Sequence, residues 1–199
     1  MKARTIFLGL LILSLLLFIG CLLLGDMFGY TLGLHLGLLS FALFFIYDKD
    51  SADFLRKLGI PGDLKKNLLF FIGGMAVILA TLIVVALALD YAHLNDQANI
   101  TAVADDLPFS VLLLAVFLAP FSEELFFRGL LSSRFGVVLS AIAFAVVHVA
   151  YGSVTEIVGV FFIGLILALV FRKSGSILPC IAIHMVYNAM SIVVLKGIV

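Results

Sequence analysis

Seven residues in the second half of the chain combine types that can do chemistry with spacings that bring them together: Glu123, Glu124, Arg128, Phe144, His148, His184 and Asn188. Glu124 and Arg128 are four apart, on one helix face, where an ion pair lowers the cost of both charges. Glu123 is rotated by about 100° from Glu124 and faces elsewhere. His184 and Asn188 are also four apart, so an imidazole and a carboxamide point into the same space. Phe144 lies one turn before His148 and can wall that ring from lipid. A carboxylate beside an imidazole can take a proton from water, and a second imidazole with an amide can donate to a developing oxyanion, which is what hydrolysis of a peptide bond needs. The same groups could instead hold zinc through His148, His184 and Glu123, the other glutamate then acting as base. Spacing leaves both open. Neither a Gly-x-Ser-x-Gly elbow nor a His-Glu-x-x-His stretch occurs, so a serine hydrolase or an ordinary zincin has no support.

These residues sit in a chain that belongs in a bilayer. Of 199 residues, 64% are hydrophobic and only 12% charged, against about 25% charged in an ordinary soluble domain. Twelve basic residues balance twelve acidic ones, which leaves no electrostatic footing for nucleic acid as a partner. A span needs roughly 20 apolar residues, and Lys or Arg is costly at the bilayer centre. Counting runs between basic residues predicts seven membrane helices: 5–24, 28–47, 68–89, 108–131, 136–151, 154–171 and 176–195. The fold class expected is therefore all-α, a polytopic transmembrane helical bundle. Lys2 and Arg4 give the first run the look of a signal peptide, but no small-x-small cleavage site follows it, so it is read as a retained span.

Eleven of the twelve basic residues then fall on one side, with Lys196 alone on the other. The positive-inside rule puts the rich side in the cytoplasm of a cell membrane, with the N-terminus inside and the C-terminus outside. The loop Asp90–Leu107 agrees, carrying four aspartates and no Lys or Arg. Segment 51–66 reads as a polar cytoplasmic linker around Pro61 and Gly62, with a short surface helix at 51–58. It divides the chain into 1–66, holding two helices and the linker, and 67–199, holding five helices with the chemistry at about 107–195. Gly25, Gly29, Gly33 and Gly37, four apart, mark a face for close helix packing. His35 between them is expected to bond to a neighbouring helix. His93 and Glu156 are expected to be solvated, Glu156 in a short outer turn, and Cys21 and Cys180 to act as small apolar residues.

Depth provides a check on cooperation. At about 1.5 Å per residue, Glu123 lies roughly 16 Å from Arg134, His148 roughly 21 Å from the same anchor, and His184 roughly 16 Å from Lys173. One cavity in the cytoplasmic half or the middle of the bilayer could hold all of them. An ionisable residue inside a membrane helix is a functional candidate by default. A transporter of inverted-repeat type should show two matching halves, whereas here the polar residues crowd into the last four helices.

Glu123-Glu124-x-x-x-Arg128, then Phe144-x-x-x-His148, then His184-x-x-x-Asn188 resembles the three-motif signature of the CPBP family, the CAAX protease and bacteriocin-processing intramembrane proteases, also called ABI. Phe127-Arg128-Gly129 and the stretch Arg172 to Pro179 resemble its flanking sequence. The resemblance implies an intramembrane endopeptidase. One branch removes the last three residues of prenylated CAAX proteins, and bacterial branches are linked to bacteriocin maturation or self-immunity. It implies Glu123 as the base activating water with His148, His184 and Asn188 as oxyanion donors, and Glu124 and Arg128 as orienting or binding residues with Phe144 beside them. It implies a peptide or protein substrate, prenylated in the CAAX branch, met in the lipid bilayer. The alternative within the family is a catalytically silent immunity or scaffold protein. The family carries both a glutamate-type and a zinc metalloprotease label. The metal-free version is favoured here because a neutral amide is a poor zinc ligand and adjacent glutamates cannot both enter one site.

Overall fold

The computed structural model describes residues 2–47, 51–60 and 62–197. Lys49 and Pro61, used above for the charge count and the linker, lie outside the described residues. Within a bilayer a backbone must satisfy its own polar groups, and each apolar run accordingly becomes a helix. In chain order these are α1 (Lys2–Leu24), α2 (Met27–Ile46), α3 (Ser51–Lys57), α4 (Leu64–Tyr91), α5 (Gln97–Asp106) and α6 (Phe109–Glu123). A π-helical segment (Glu124–Ser132) and one further turn, α7 (Ser133–Phe135), prolong α6. Then come α8 (Val137–Val147) with a 3₁₀ turn (His148–Tyr151), α9 (Val154–Ser174) and α10 (Leu178–Leu195). Six stretches are long and apolar enough to cross a membrane, Phe109–Phe135 counting as one, and Val137–Tyr151 is a shorter apolar helix. No strand occurs among the described residues. The protein is a multi-pass all-α bundle.

The glycine face works as a seam between α1 and α2. A Cβ on Gly33 would come within 2.6 Å of the Phe18 nitrogen, so only a bare backbone lets α1 approach this closely. Gly25 is not part of the seam; it takes φ +72° in the turn between the two helices, ahead of the Asp26 cap. His35, two residues beyond Gly33 and so about 200° around the helix, points away from α1 and toward α6.

The polar linker is docked. Ile177 N–H donates to Leu58 O at 3.0 Å, and Ala42, Ile46, Leu58, Leu130, Ile177 and Ile181 form one buried cluster. Gly59, at φ +68°, sits where a Cβ would collide with Gly175 O. Residues from both sides of position 66 thus share a core. A second cluster joins α4, α9 and α10 through Ile78, Ile163, Leu167, Val170, Cys180 and Ile183. Phe127, Phe144 and Val160 form a third.

Two expectations for the stretch from α4 to α9 are corrected. The stretch read as the loop Asp90–Leu107 contains α5, whose composition carries no apolar run to announce it. Glu156 is not in a solvated turn but in the first turn of α9, half-buried. His93 is exposed. Asp96 organises this stretch. Its carboxylate accepts from the Ser153 hydroxyl at 2.7 Å and from Val154 and Thr155 N–H at 2.8 and 2.9 Å, which caps α9 from across the loop.

The Ser153 hydroxyl above all, with Thr155 and the Val154 amide, holds the Asp96 carboxyl well below the usual carboxylate range. An acid with a depressed folded-state pKa adds stability above its unfolded value, about 3.9, and loses it as pH falls through the folded value. Amide exchange at Val154 and Thr155 should therefore accelerate as pH drops below about 4, relative to intrinsic rates. Asp96→Asn should show faster exchange already at neutral pH and little further acid dependence. Equal protection in both proteins at neutral pH would show that Asp96 does not hold this end of α9.

Candidate active site

Helix α6 brings two carboxylates to the middle of the bundle by abandoning ideal geometry. Pro120 lies inside it and lacks the N–H that would bond one turn back, and four residues later the chain widens into the π-helical segment. Such segments are rare and cluster at functional sites. Two hydroxyls brace the widened turn: Ser140 donates to Phe127 O at 2.6 Å and Ser133 to Arg128 O at 3.2 Å.

Glu124 and Arg128 form the ion pair that their spacing suggests, at 3.0 Å, with both side chains fully buried. The same Glu124 oxygen lies 2.8 Å from Nδ1 of His184. A carboxylate can only accept, so Nδ1 of His184 carries the proton and donates it, and the ring presents Nε2 on its other side. That Nε2 lies 3.7 Å from Oε2 of Glu123. The order is thus Arg128, Glu124, His184, Glu123: a cation orients a carboxylate, which orients an imidazole toward a second carboxylate.

The remaining residues surround this line. Phe144, 2% exposed, has its ring centroid 4.8 Å from that of His148, 5.8 Å from that of His184 and 4.9 Å from that of Phe127. The Arg128 guanidinium lies over its face at 4.4 Å, a cation–π contact that partly replaces lost hydration. His148 opens the 3₁₀ turn after α8, with Nδ1 2.8 Å from Phe144 O. A carbonyl accepts, so this ring too carries its proton on Nδ1 and leaves Nε2 free. Asn188 donates through Nδ2 to Ala115 O at 2.8 Å, which ties α10 to α6 and leaves one amide hydrogen over.

The pairings differ in part from those that the resemblance implies. Glu123 faces His184, and it also lies near His35, which bonds to a neighbouring helix as expected, through Ser122 of α6. His35 on α2, 7% exposed, lies with Nδ1 3.9 Å from Oε1 of Glu123. Its only signal in the sequence was an ionisable group in a membrane helix without a local partner.

Glu123 Oε2 and His184 Nε2 are 3.7 Å apart, a separation that a water about 2.8 Å from each would bridge. There a carboxylate could take its proton. Zinc finds a poorer fit. Among the described residues no three His, Cys, Asp or Glu side chains are gathered as a set that could hold a metal ion. His184 Nδ1 and Glu124 Oε1 are engaged with each other, and Glu124 Oε1 also with Arg128.

Residues 105–190 match the family model described as Type II CAAX prenyl endopeptidase Rce1-like. The matched segment takes in α6 through most of α10 and every one of the seven residues singled out by their spacing. No curated protein and no solved structure matches the chain.

Proposed function

We propose that the protein is an intramembrane endopeptidase of CPBP type that hydrolyses a peptide bond with water activated by Glu123, a reading supported by the match of residues 105–190 to the Rce1-like family model. The observation that carries this reading is the Arg128–Glu124–His184 line ending 3.7 Å from the Glu123 carboxylate. Two carboxylates and one guanidinium leave the buried cluster one positive charge short, and one proton held by the His184 and Glu123 pair removes the deficit. With that proton on Nε2 of His184, Glu123 is an ionised base and His184 a charged donor.

Glu123 then takes a proton from water as the water oxygen attacks the scissile carbonyl carbon. The oxyanion that forms is met by His184 Nε2–H and by the spare amide hydrogen of Asn188. The C–N bond breaks as Glu123 passes the proton taken from water to the leaving nitrogen, and the proton of the new carboxylic acid moves to the amine, so that a carboxylate and an ammonium leave and Glu123 is ionised again. His148, with its Nε2 lone pair free, is the second acceptor for water or for the proton in transit. Glu124 and Arg128 position His184, and Phe144 shields from lipid the polar groups that it touches, His148, His184 and Arg128.

The substrate class we propose is a lipidated peptide or protein of CAAX type, cut near its C-terminus. The chain would have its N-terminus in the cytoplasm and its C-terminus outside, in a cell membrane. Purified protein should release the C-terminal tripeptide from a farnesylated CAAX peptide, and faster than from the same peptide without its farnesyl group. Chelator should leave the rate unchanged. Equal cleavage of both peptides would reject the lipid requirement. Activity lost with chelator and restored by zinc would reject the metal-free mechanism, and Asn188→Ala would then not show the fall of about 10²- to 10³-fold in kcat expected of an oxyanion donor.

A further inference from the structure

Residue His35 stands outside the Rce1-like segment, on the N-terminal hairpin, yet it lies against the carboxylate read above as the base. The Ser122 hydroxyl beside it is fully buried and has one hydrogen, which it donates to Ala119 O at 3.0 Å. Ser122 Oγ therefore accepts from His35 Nδ1 at 2.9 Å, and the tautomer of His35 is fixed with its proton on Nδ1. That same N–H edge is 3.9 Å from Glu123 Oε1. Oε2 of Glu123 faces His184. The carboxylate is bracketed, one oxygen toward an imidazole of α2 and the other toward an imidazole of α10.

We propose that His35 is a positioning residue for Glu123: fixed by its hydrogen bond to Ser122, the imidazole stands with the positive end of its Nδ1–H dipole 3.9 Å from Oε1, and this neighbour, not a hydrogen bond, keeps Oε2 turned toward His184 and the attacking water. A glutamate side chain has three rotatable torsions, and in a dry site an ionised oxygen without a facing donor turns to find one. Here His35 stands on the Oε1 side and His184 on the Oε2 side. The support behind His35 is stiff. The glycine face of α2 is clamped to α1 with Gly33 against the Phe18 backbone, and the opposite face carries His35. The hairpin thus supplies a member of the site that the family-matched region lacks, an inference that rests on Glu123 being the base.

The test compares His35→Leu and His35→Asn with wild type, using the full-length purified protein and the farnesylated CAAX peptide. Leucine fills the space without a donor, while the Asn Nδ2 stands close to where the imidazole Nδ1 stood and can still donate. His35→Leu should lower kcat by about 10- to 100-fold with KM and Tm near wild type, and His35→Asn should recover to within about 3-fold, as expected when a reacting group is misplaced and then restored. Wild-type kcat in His35→Leu overturns the proposal. So does a loss that accompanies a lowered Tm and is equal in both variants, since that is the behaviour of helix packing alone. A wild-type protein that cleaves nothing fails differently: it removes the endopeptidase reading itself, and the role of His35 with it.

Discussion

Glu123→Gln should abolish turnover by a factor of about 10² or more while leaving the fold intact. The amide has the size of the carboxylate and can face His35 and His184 from the same place, but it cannot take a proton from water. Glu123 keeps a small exposure, 13% of its side chain, whereas Glu124 has none, so the two adjacent glutamates separate by their response as well as their role. Glu124→Gln should also lose activity, yet for another reason: His184 loses its anchoring charge and Arg128 its counter-ion. Its Tm should fall, and that of Glu123→Gln should not. Measured together, kcat and Tm of the two variants distinguish the base from the residue that positions its partner. An active Glu123→Gln enzyme would remove the assignment.

The largest effect on stability is expected from Arg128→Met. The guanidinium is fully buried, 3.0 Å from Glu124 Oε1, 3.5 Å from Gly164 O through Nη2, and stacked on Phe144. Its loss would leave the Glu124 carboxylate buried beside one imidazole, with Oε2 already lacking a hydrogen-bond partner. Breaking a buried pair from one side costs about 3–5 kcal/mol. Methionine preserves much of the volume, so the penalty comes from the stranded charge and not from a cavity. The double variant Glu124→Gln/Arg128→Met removes both charges and should recover a large part of the lost stability without recovering activity, because His184 stays unanchored. Thermal unfolding in detergent, with activity assayed in parallel, checks this. A double variant no more stable than Arg128→Met alone would show that charge burial is not the source of the penalty.

The membrane helices were legible because their signal is one-dimensional. A run of apolar residues between basic clusters must form a helix in lipid, and the helix ends differ from those expected by no more than about four residues. The pair Glu124 and Arg128 was legible for the same reason, since both lie on one turn. What spacing could not supply was rotation between helices. It placed Glu123, His148 and His184 at one depth but not which faced which, and the π-helical segment, whose turns are wider than those of an α-helix, starts at the carboxylates themselves. That His35 bonds to a neighbouring helix was legible, but not its partner, because Ser122 is 87 residues away. The docking of Leu58 on Ile177 was hidden likewise, because it is a backbone hydrogen bond between the polar linker and the start of a membrane helix far along the chain. α5 was missed because ten residues with little apolar character look like a loop until Asp96 and the start of α9 give them a place to rest.

The claim on which the rest depends is that the protein cuts a peptide bond in the membrane through Glu123. The most direct measurement is mass spectrometry of a farnesylated CAAX peptide incubated with purified wild-type protein, beside a preparation of Glu123→Gln of matched folding. Wild type is expected to yield two fragments, the farnesyl-cysteine peptide with a new carboxylate and the free C-terminal tripeptide, and Glu123→Gln neither. An intact peptide after incubation with folded wild type, or the same two fragments from both proteins, would contradict the account.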